Sequence, residues 1–262
     1  MDIFGFDPAS MMSFLLTLMR VSIIVFLLPF FGGENIPMQA KAAICLVITM
    51  AIWPHLAIPA RFFPAHPFNI FLLILSEVIL GMLLGFAVQV VFAGLQSGGT
   101  IFGFQMGFSM ITMADPNSGE QLIVTSFLCQ TVAMALFLTL NGHLYILSAL
   151  MSSFNLIQPG QLLIDGLAMG DIIRLSGQVF ILAVKIAGPI IGCLFMVDLA
   201  LALVAKVAPQ MNLLMIGFPI KIAVGLTLMS VIFSLMSMYL DDFLRGVGPM
   251  FQNIMTSVRA PD

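Results

Sequence analysis

Long apolar stretches separated by short polar segments make up most of the sequence. The stretches are much longer than β-strands and lack the apolar–polar alternation of a strand, so each one predicts a helix. They occupy residues 11–31, 42–60, 68–95, 122–140 (resuming at 144–151), 172–208 and 210–240. This pattern predicts an all-α membrane protein with long, partly kinked helices and helical hairpins.

The longest stretches exceed the length that a membrane requires. About 20 helical residues span a bilayer core of about 30 Å, whereas residues 172–208 would form a helix of about 55 Å. Gly188-Pro189 is the predicted kink, because proline removes a backbone donor and clashes with the preceding turn. We expect residues 172–240 to form an antiparallel hairpin. Its tip region carries Lys206, Pro209, Pro219 and Lys221.

Two polar segments divide the rest of the chain. Residues 155–171 contain one proline and three glycines and are predicted to link residues 1–154 to the hairpin. Residues 241–262 have a mixed composition and are predicted to be a C-terminal tail.

The composition supports the membrane assignment. Hydrophobic residues make up 61% of the chain and charged residues 8%, whereas a soluble domain is about a quarter charged. Nine basic and twelve acidic residues could not cover the surface of a soluble enzyme of this size. The net charge of -3 provides no basic field for nucleic acid.

Candidate catalytic and metal-binding patterns are missing from the sequence. The three histidines and three cysteines have no metal-ligand spacing, and no P-loop or nucleophile elbow is present. We therefore predict no catalytic residue, cofactor or metal ion.

Charged residues inside the apolar stretches are candidates for pairing between helices or subunits. Exposing each to lipid would cost at least about 2.5–3.5 kcal/mol. Arg20 and Glu77 are candidates for an interhelical pair. Lys185 and Asp198 lie roughly 20 Å apart along one helix, so they are not direct partners. Lys206 and Lys221 could extend to a membrane interface instead.

Glycines recur every fourth residue and leave flat stripes on helix faces. Such stripes let helix backbones approach closely, either within one chain or between subunits. The sequence does not decide between these alternatives. The predicted packing glycines are Gly81, Gly85, Gly99, Gly103 and Gly107.

A methionine-rich segment follows the third apolar stretch. Thioether side chains are flexible and can repack around varied shapes, and irregular backbone at membrane depth is tolerated only beside protein or a cavity. Residues 105–121 therefore fit a re-entrant or pore-closing loop, although an ordinary interfacial loop is the alternative. The residues concerned are Met106, Phe108, Met110, Met113 and Asp115.

Three segments resemble the FliR family of flagellar biosynthesis proteins, whose injectisome counterpart is SctT. They are Gln105–Pro116, Asn141-Gly142-His143 and Ala208–Ile222. The segment Ala208–Ile222 is the most specific, and the resemblance extends over roughly residues 15–245. The first two segments match the flagellar branch best.

The resemblance implies a non-enzymatic core subunit of the type III protein export gate. Such a subunit joins FliP and FliQ in the bacterial inner membrane, at the flagellar basal body. FlhB and FlhA dock on the gate and couple the export of unfolded flagellar proteins to the proton motive force. By the same resemblance, residues 1–154 are a FliP-like half, residues 172–240 a FliQ-like hairpin, and the loop at 105–121 a plug that helps to close the channel.

A secondary transporter for a small solute is the alternative function. Broken helices and charges near the membrane midplane are typical of such transporters. The sequence has no repeat between its halves, and six apolar stretches are few for that class.

Overall fold

A computed structural model describes residues 8–32, 36–56, 66–108, 124–157, 166–210 and 212–258. All regular secondary structure in these ranges is helical, so the predicted all-α class is confirmed. The helices are α1 (Pro8–Leu27), α2 (Pro29–Gly32), α3 (Met38–Ile52), α4 (Pro67–Met106), α5 (Val124–Thr139), α6 (Gly142–Leu156), α7 (Gly166–Val207) and α8 (Leu213–Val258), with a 3-10 turn at Trp53–His55.

Three of the helices are much longer than a membrane is thick. Helices α4, α7 and α8 contain 40, 42 and 46 residues, which corresponds to about 60–70 Å. This length is about twice the hydrocarbon core of a bilayer.

Four helical segments in the described ranges are long and apolar enough to cross a membrane. They are Ser10–Leu27, Pro67–Met106, Ile172–Val207 and Met215–Gly246. The broken pair formed by α5 and α6 would add a fifth span if it counts as one.

The chain forms two compact units that are interleaved along the sequence. The first contains Met1–Gln89, Asn141–Leu175 and Leu244–Asp262, and the second contains Val90–Leu140 and Ser176–Phe243. Helices α4, α7 and α8 each contribute to both units, because each continues across a unit boundary.

In the first unit, α1 packs against α3 and against the first half of α4. The Trp53 indole, just after α3, donates a hydrogen bond of 2.8 Å to Ser13 Oγ and packs edge-on against Phe14. Gly81 and Gly85 of α4 lie directly beneath Ile23 and Leu27 of α1. The contacting residue numbers increase together along the two helices, so α1 and α4 run parallel.

In the second unit, the remainder of α4 packs against α5 and α7. Gly99 lies against the backbone of Ser126 on α5, and Gly94 and Gly98 lie against Leu182 and Ile186 on α7. The glycines allow these close approaches because any β-carbon would meet the neighbouring helix.

Helices α7 and α8 form the antiparallel hairpin that the sequence predicts. Leu201 lies against Gly217, close to the turn. Further from the turn, the amine of Lys185 lies 6.0 Å from the ring centre of Tyr239. Pro189 is accommodated inside α7, which continues through it as one helix.

Several helix boundaries differ from those that the sequence pattern predicts. Helix α4 continues through the glycine-rich stretch to Met106. Helix α7 begins at Gly166, inside the segment predicted to be a linker. Helix α8 extends to Val258, into the predicted tail.

Candidate functional site

The first candidate site is a buried ion pair between α1 and α4 in the first unit. The Arg20 guanidinium donates from Nε to Glu77 Oε2 at 2.6 Å and from Nη2 to Glu77 Oε1 at 2.8 Å. Both side chains are fully buried. A two-point contact of this kind fits the planar guanidinium and fixes its orientation.

Helix α6 supplies the remaining contacts of this guanidinium. Nη1 donates to Ser153 Oγ at 3.2 Å, and Nη2 donates to the Ile157 carbonyl at 3.4 Å. The ring of Phe154 lies 4.2 Å below the guanidinium carbon. Ile157 follows the end of α6, so the cation sits where the helix dipole favours positive charge.

The sequence pattern alone missed the part played by α6. Ser153 resembles an ordinary polar residue near a helix end, but in the structure it contacts Arg20. We call Arg20, Glu77, Ser153, Phe154 and Ile157 the Arg20 cluster. It joins three helices through one buried cation.

The Asn141-Gly142-His143 segment lies at the start of α6. Asn141 has a φ of 56°, a left-handed conformation that asparagine tolerates better than most residues. The Nδ1 atom of His143 is buried and has no hydrogen-bond partner among the described residues.

The second candidate site, in the second unit, lies where α4 ends. Gly107 has a φ of 92°. Its N–H donates to the Phe104 carbonyl at 3.0 Å, and the Phe108 N–H donates to the Gly103 carbonyl at 3.2 Å. This pair of bonds is a Schellman motif, which closes a helix with a left-handed glycine. We call residues 105–108 the α4 cap.

Helix α8 covers the α4 cap. A β-carbon at Gly107 would lie 2.7 Å from the ring of Phe218. Met106 is fully buried, and its thioether occupies the space above Gly225. Phe108, which follows the cap glycine, is half-buried.

Asp198 lies beside the same cap and pairs with two residues from different helices. One carboxylate oxygen forms an ion pair with Lys221 of α8. The other accepts a hydrogen bond of 3.1 Å from Gln105 Nε2. We call Gln105, Asp198 and Lys221 the Asp198 cluster.

The other predicted residues are distributed as follows. Lys185 is exposed on α7, Lys206 is exposed near the end of α7, and Pro209 and Pro219 are exposed in the turn and in α8. Met110, Met113 and Asp115 lie outside the described residues. The structure therefore brings together Arg20 with Glu77 and Asp198 with Lys221, and it leaves Lys185 apart from Asp198. The ranges that the structure describes contain no group of acidic, histidine and cysteine residues that could hold a metal ion.

Comparison with protein families decides the class of this chain. The family model for bacterial export proteins, family 1, matches residues 11–247. The chain belongs to this family. The match includes both the Arg20 cluster and the Asp198 cluster.

Relatives in this export family are named for flagellar biosynthesis and for the translocation of Yop proteins. The flagellar biosynthetic protein FliR of Escherichia coli strain K12 is 30% identical over 92% of each chain. FliR of Bacillus subtilis strain 168 is 30% identical over 84% of this chain and 87% of its own. The Yop proteins translocation protein T of Yersinia pestis is 27% identical over 74% and 75%. The resemblance to the FliR family is thus confirmed.

Membership in the export family and the apolar helices agree with each other. At least four of the described helical segments are long and apolar enough to cross a membrane, and the relatives are named as flagellar biosynthetic proteins and a Yop translocation protein. The chain is therefore a membrane-embedded member of an export-apparatus family.

Proposed function

We propose that this chain is a core, non-enzymatic subunit of the flagellar type III protein export gate in the bacterial inner membrane, at the flagellar basal body. It assembles with FliP-like and FliQ-like subunits around a channel for unfolded flagellar proteins. FlhB and FlhA homologues act on the same gate. Family membership and the flagellar biosynthetic role of the FliR relatives support this proposal.

The observation that carries the proposal is the exposed apolar surface on helices twice the length of a bilayer core. Within Ile172–Val207, only 11% of the residues in an 18-residue apolar segment are buried inside the chain. A membrane can cover about half of a helix of this length. Apolar surface of this extent marks an interaction site, and the apolar helices of neighbouring subunits would cover it.

Lys185, on the exposed surface of α7, needs a counter-charge or water, and lipid tails provide neither. It is exposed in the middle of the apolar helix, and a lysine at membrane depth is costly unless it is paired or reaches water. In the assembled gate a neighbouring subunit supplies its counter-charge. The same assembly accounts for the open glycines Gly188 and Gly192, because a β-carbon at either position would meet no atom of the described residues within 4 Å.

In this proposal the parts of the chain have different tasks. Residues 1–154 form the FliP-like half and residues 172–240 form the FliQ-like hairpin, which 155–171 connects. Residues 105–121 are the plug that helps to close the channel. The α4 cap supports this role, because it ends the helix at Met106, within the segment 105–121 itself.

Export itself provides the first test. The gene is deleted from its own host, and flagellar proteins released into the medium are measured. We expect release to stop and to return with a plasmid copy of the gene. Unchanged release after the deletion would disprove the proposal, and so would purification of the chain as a solute-binding monomer or dimer.

Trimming residues 110–114 tests the plug. We expect the trimmed chain to assemble normally but to make the membrane permeable to small solutes and ions. Assembly is measured by co-purification of partner subunits, and leakage by ion flux across the membrane. Normal impermeability together with normal export would show that these residues are not a plug.

A further inference from the structure

Three polar side chains from three helices meet in the second unit. Asp198 of α7 is 35% exposed and Lys221 of α8 is 20% exposed, and the two form an ion pair. Gln105 of α4 donates a hydrogen bond of 3.1 Å to the second carboxylate oxygen of Asp198. Each oxygen of the carboxylate therefore has its own partner.

The ion pair by itself contributes little to folding. Partly exposed pairs of this kind are typically worth about 0–1 kcal/mol, and apolar residues of similar size could replace both partners. What the pair does provide is direction. Because Lys221 holds one oxygen of Asp198, the carboxylate cannot rotate away from Gln105.

Gln105 is the penultimate residue of α4, just before the turn that ends the helix. The next residue, Met106, packs over Gly225, and Gly107 packs beneath Phe218. These apolar contacts come from α8. The hydrogen bond from Gln105 to Asp198 ties the same turn to α7.

We propose that Asp198, oriented by Lys221, is a positioning residue that holds the α4 cap in place through Gln105. Without it, Met106 and Gly107 lose their fixed placement against α8. The consequence for transport rests on the proposed function, since the segment assigned as the plug leaves the helix at this cap.

A pair of engineered cysteines can report the placement of the cap directly. A β-carbon built on Gly225 lies 2.8 Å from Met106 Cγ, so the two β-carbons lie within about 4.3 Å, inside the range of disulfides. Met106→Cys also removes the thioether that would otherwise clash there. The pair Met106→Cys/Gly225→Cys is made with Cys193→Ser, because Cys193 is exposed.

The rate of disulfide formation is then measured on the assembled protein in native membranes. The test variant is Asp198→Leu/Lys221→Met, which removes the ion pair without leaving an unpaired charge. We expect the disulfide to form about tenfold more slowly, the factor expected for loss of a hydrogen bond to a charged group. Lys221→Arg keeps the ion pair and should leave the rate of disulfide formation unchanged.

A second variant and a control keep the test decisive. Gln105→Leu removes the amide, leaves the ion pair and should slow disulfide formation to a similar extent. Lys206→Gln removes a positive charge from the same hairpin outside the cluster and should change nothing. The proposal is wrong if Gln105→Leu leaves the rate of disulfide formation unchanged. This holds even if the Asp198→Leu/Lys221→Met variant is not produced in measurable amounts.

Ion leakage separates this inference from the proposed function. We expect Gln105→Leu to assemble normally and to leak, although less than the chain trimmed at 110–114. If the trimmed chain leaks and Gln105→Leu neither leaks nor slows disulfide formation, the positioning proposal fails while the plug stands. If the disulfide rate falls but the trimmed chain does not leak, the plug fails and the positioning role stands.

Discussion

Arg20 is tolerated in the apolar interior because nearly all of its polar atoms have partners. Glu77 takes two of its donors, and Ser153 and the Ile157 carbonyl accept from the others. The Phe154 ring adds a cation–π contact, which strengthens when water is absent. One buried cation thereby fixes the relative placement of three helices.

Removing Glu77 should be far more damaging than removing the whole pair. Glu77→Ala leaves an uncompensated buried charge, for which we expect a loss of about 3–5 kcal/mol in stability. The double variant Arg20→Met/Glu77→Leu removes both charges and should recover most of that loss. The amount of chain in the membrane and its unfolding temperature in detergent measure the effect. Equal damage from both variants would contradict this account.

Gly107 is required for its backbone conformation and also for the space above it. A residue with a β-carbon at a φ of 92° is strained, and that β-carbon would also meet Phe218. We expect Gly107→Ala to cost about 1–2 kcal/mol from the left-handed backbone alone. Phe218→Leu should relieve only the steric part of the loss.

Gly246→Ala is the matched control for Gly107→Ala. Gly246 is helical, and no atom of the described residues lies within 4 Å of the place where its β-carbon would be. Alanine there should be neutral or should stabilise by up to about 1 kcal/mol. Thermal unfolding of both variants in detergent gives the comparison, and similar unfolding temperatures would argue against a special role for Gly107.

At the level of helices, the glycine stripes have two different roles. The glycines of α4 are covered within the chain: a β-carbon at Gly85 would lie 2.5 Å from Leu27 Cδ1. Gly188 and Gly192 of α7 face open space instead, as far as the described residues extend. Equal spacing in the sequence therefore gives intrachain packing in one helix and a free surface in the other.

This contrast predicts opposite defects for two substitutions. Gly85→Leu overpacks α1 against α4, and we expect it to destabilise the chain by about 1–3 kcal/mol or more. Gly188→Leu/Gly192→Leu displaces no neighbour among the described residues, so chain levels should stay normal while co-purification of partner subunits falls. Full assembly of the α7 variant would show that this face is not an interface.

Helices could be predicted from the sequence with more success than their ends. The apolar stretches identified the helices that can cross a membrane, because the number of consecutive apolar residues can be read directly from the sequence. The end of α4 was missed because the apolar stretch stops at residue 95, whereas the helix continues through glycines such as Gly98 and Gly99, which pack closely on neighbouring helices. The extension of α8 to Val258 was missed because polar residues interrupt the apolar pattern there, although Phe251 and Met255 are buried.

The candidate sites were predictable only in part, for a similar reason. The cost of burying a charge identified Arg20, Glu77 and Asp198 as residues that need partners. The partners themselves lie far away along the chain: Ser153 is 133 residues from Arg20, and Asp198 is 93 residues from Gln105. No local spacing in a sequence encodes such contacts.

At the level of the whole molecule, the buried charges of Arg20 and Glu77 satisfy each other within the chain, whereas much apolar surface of the described helices is uncovered. The Arg20 pair is completely buried, whereas Phe180, Val184 and Phe195 of α7 are all more than half exposed. In a transporter that functions alone, such a surface would be covered by the protein's own helices or by lipid. A helix of about 63 Å is too long for lipid alone.

Native mass spectrometry of the tagged chain, extracted gently from its own host, tests the central claim most directly. The account predicts that the chain is released as part of a hetero-oligomer that contains FliP-like and FliQ-like subunits. The same measurement on Gly188→Leu/Gly192→Leu should yield smaller or incomplete complexes. A stable species that contains only this chain, from cells that export flagellar proteins normally, would contradict the account.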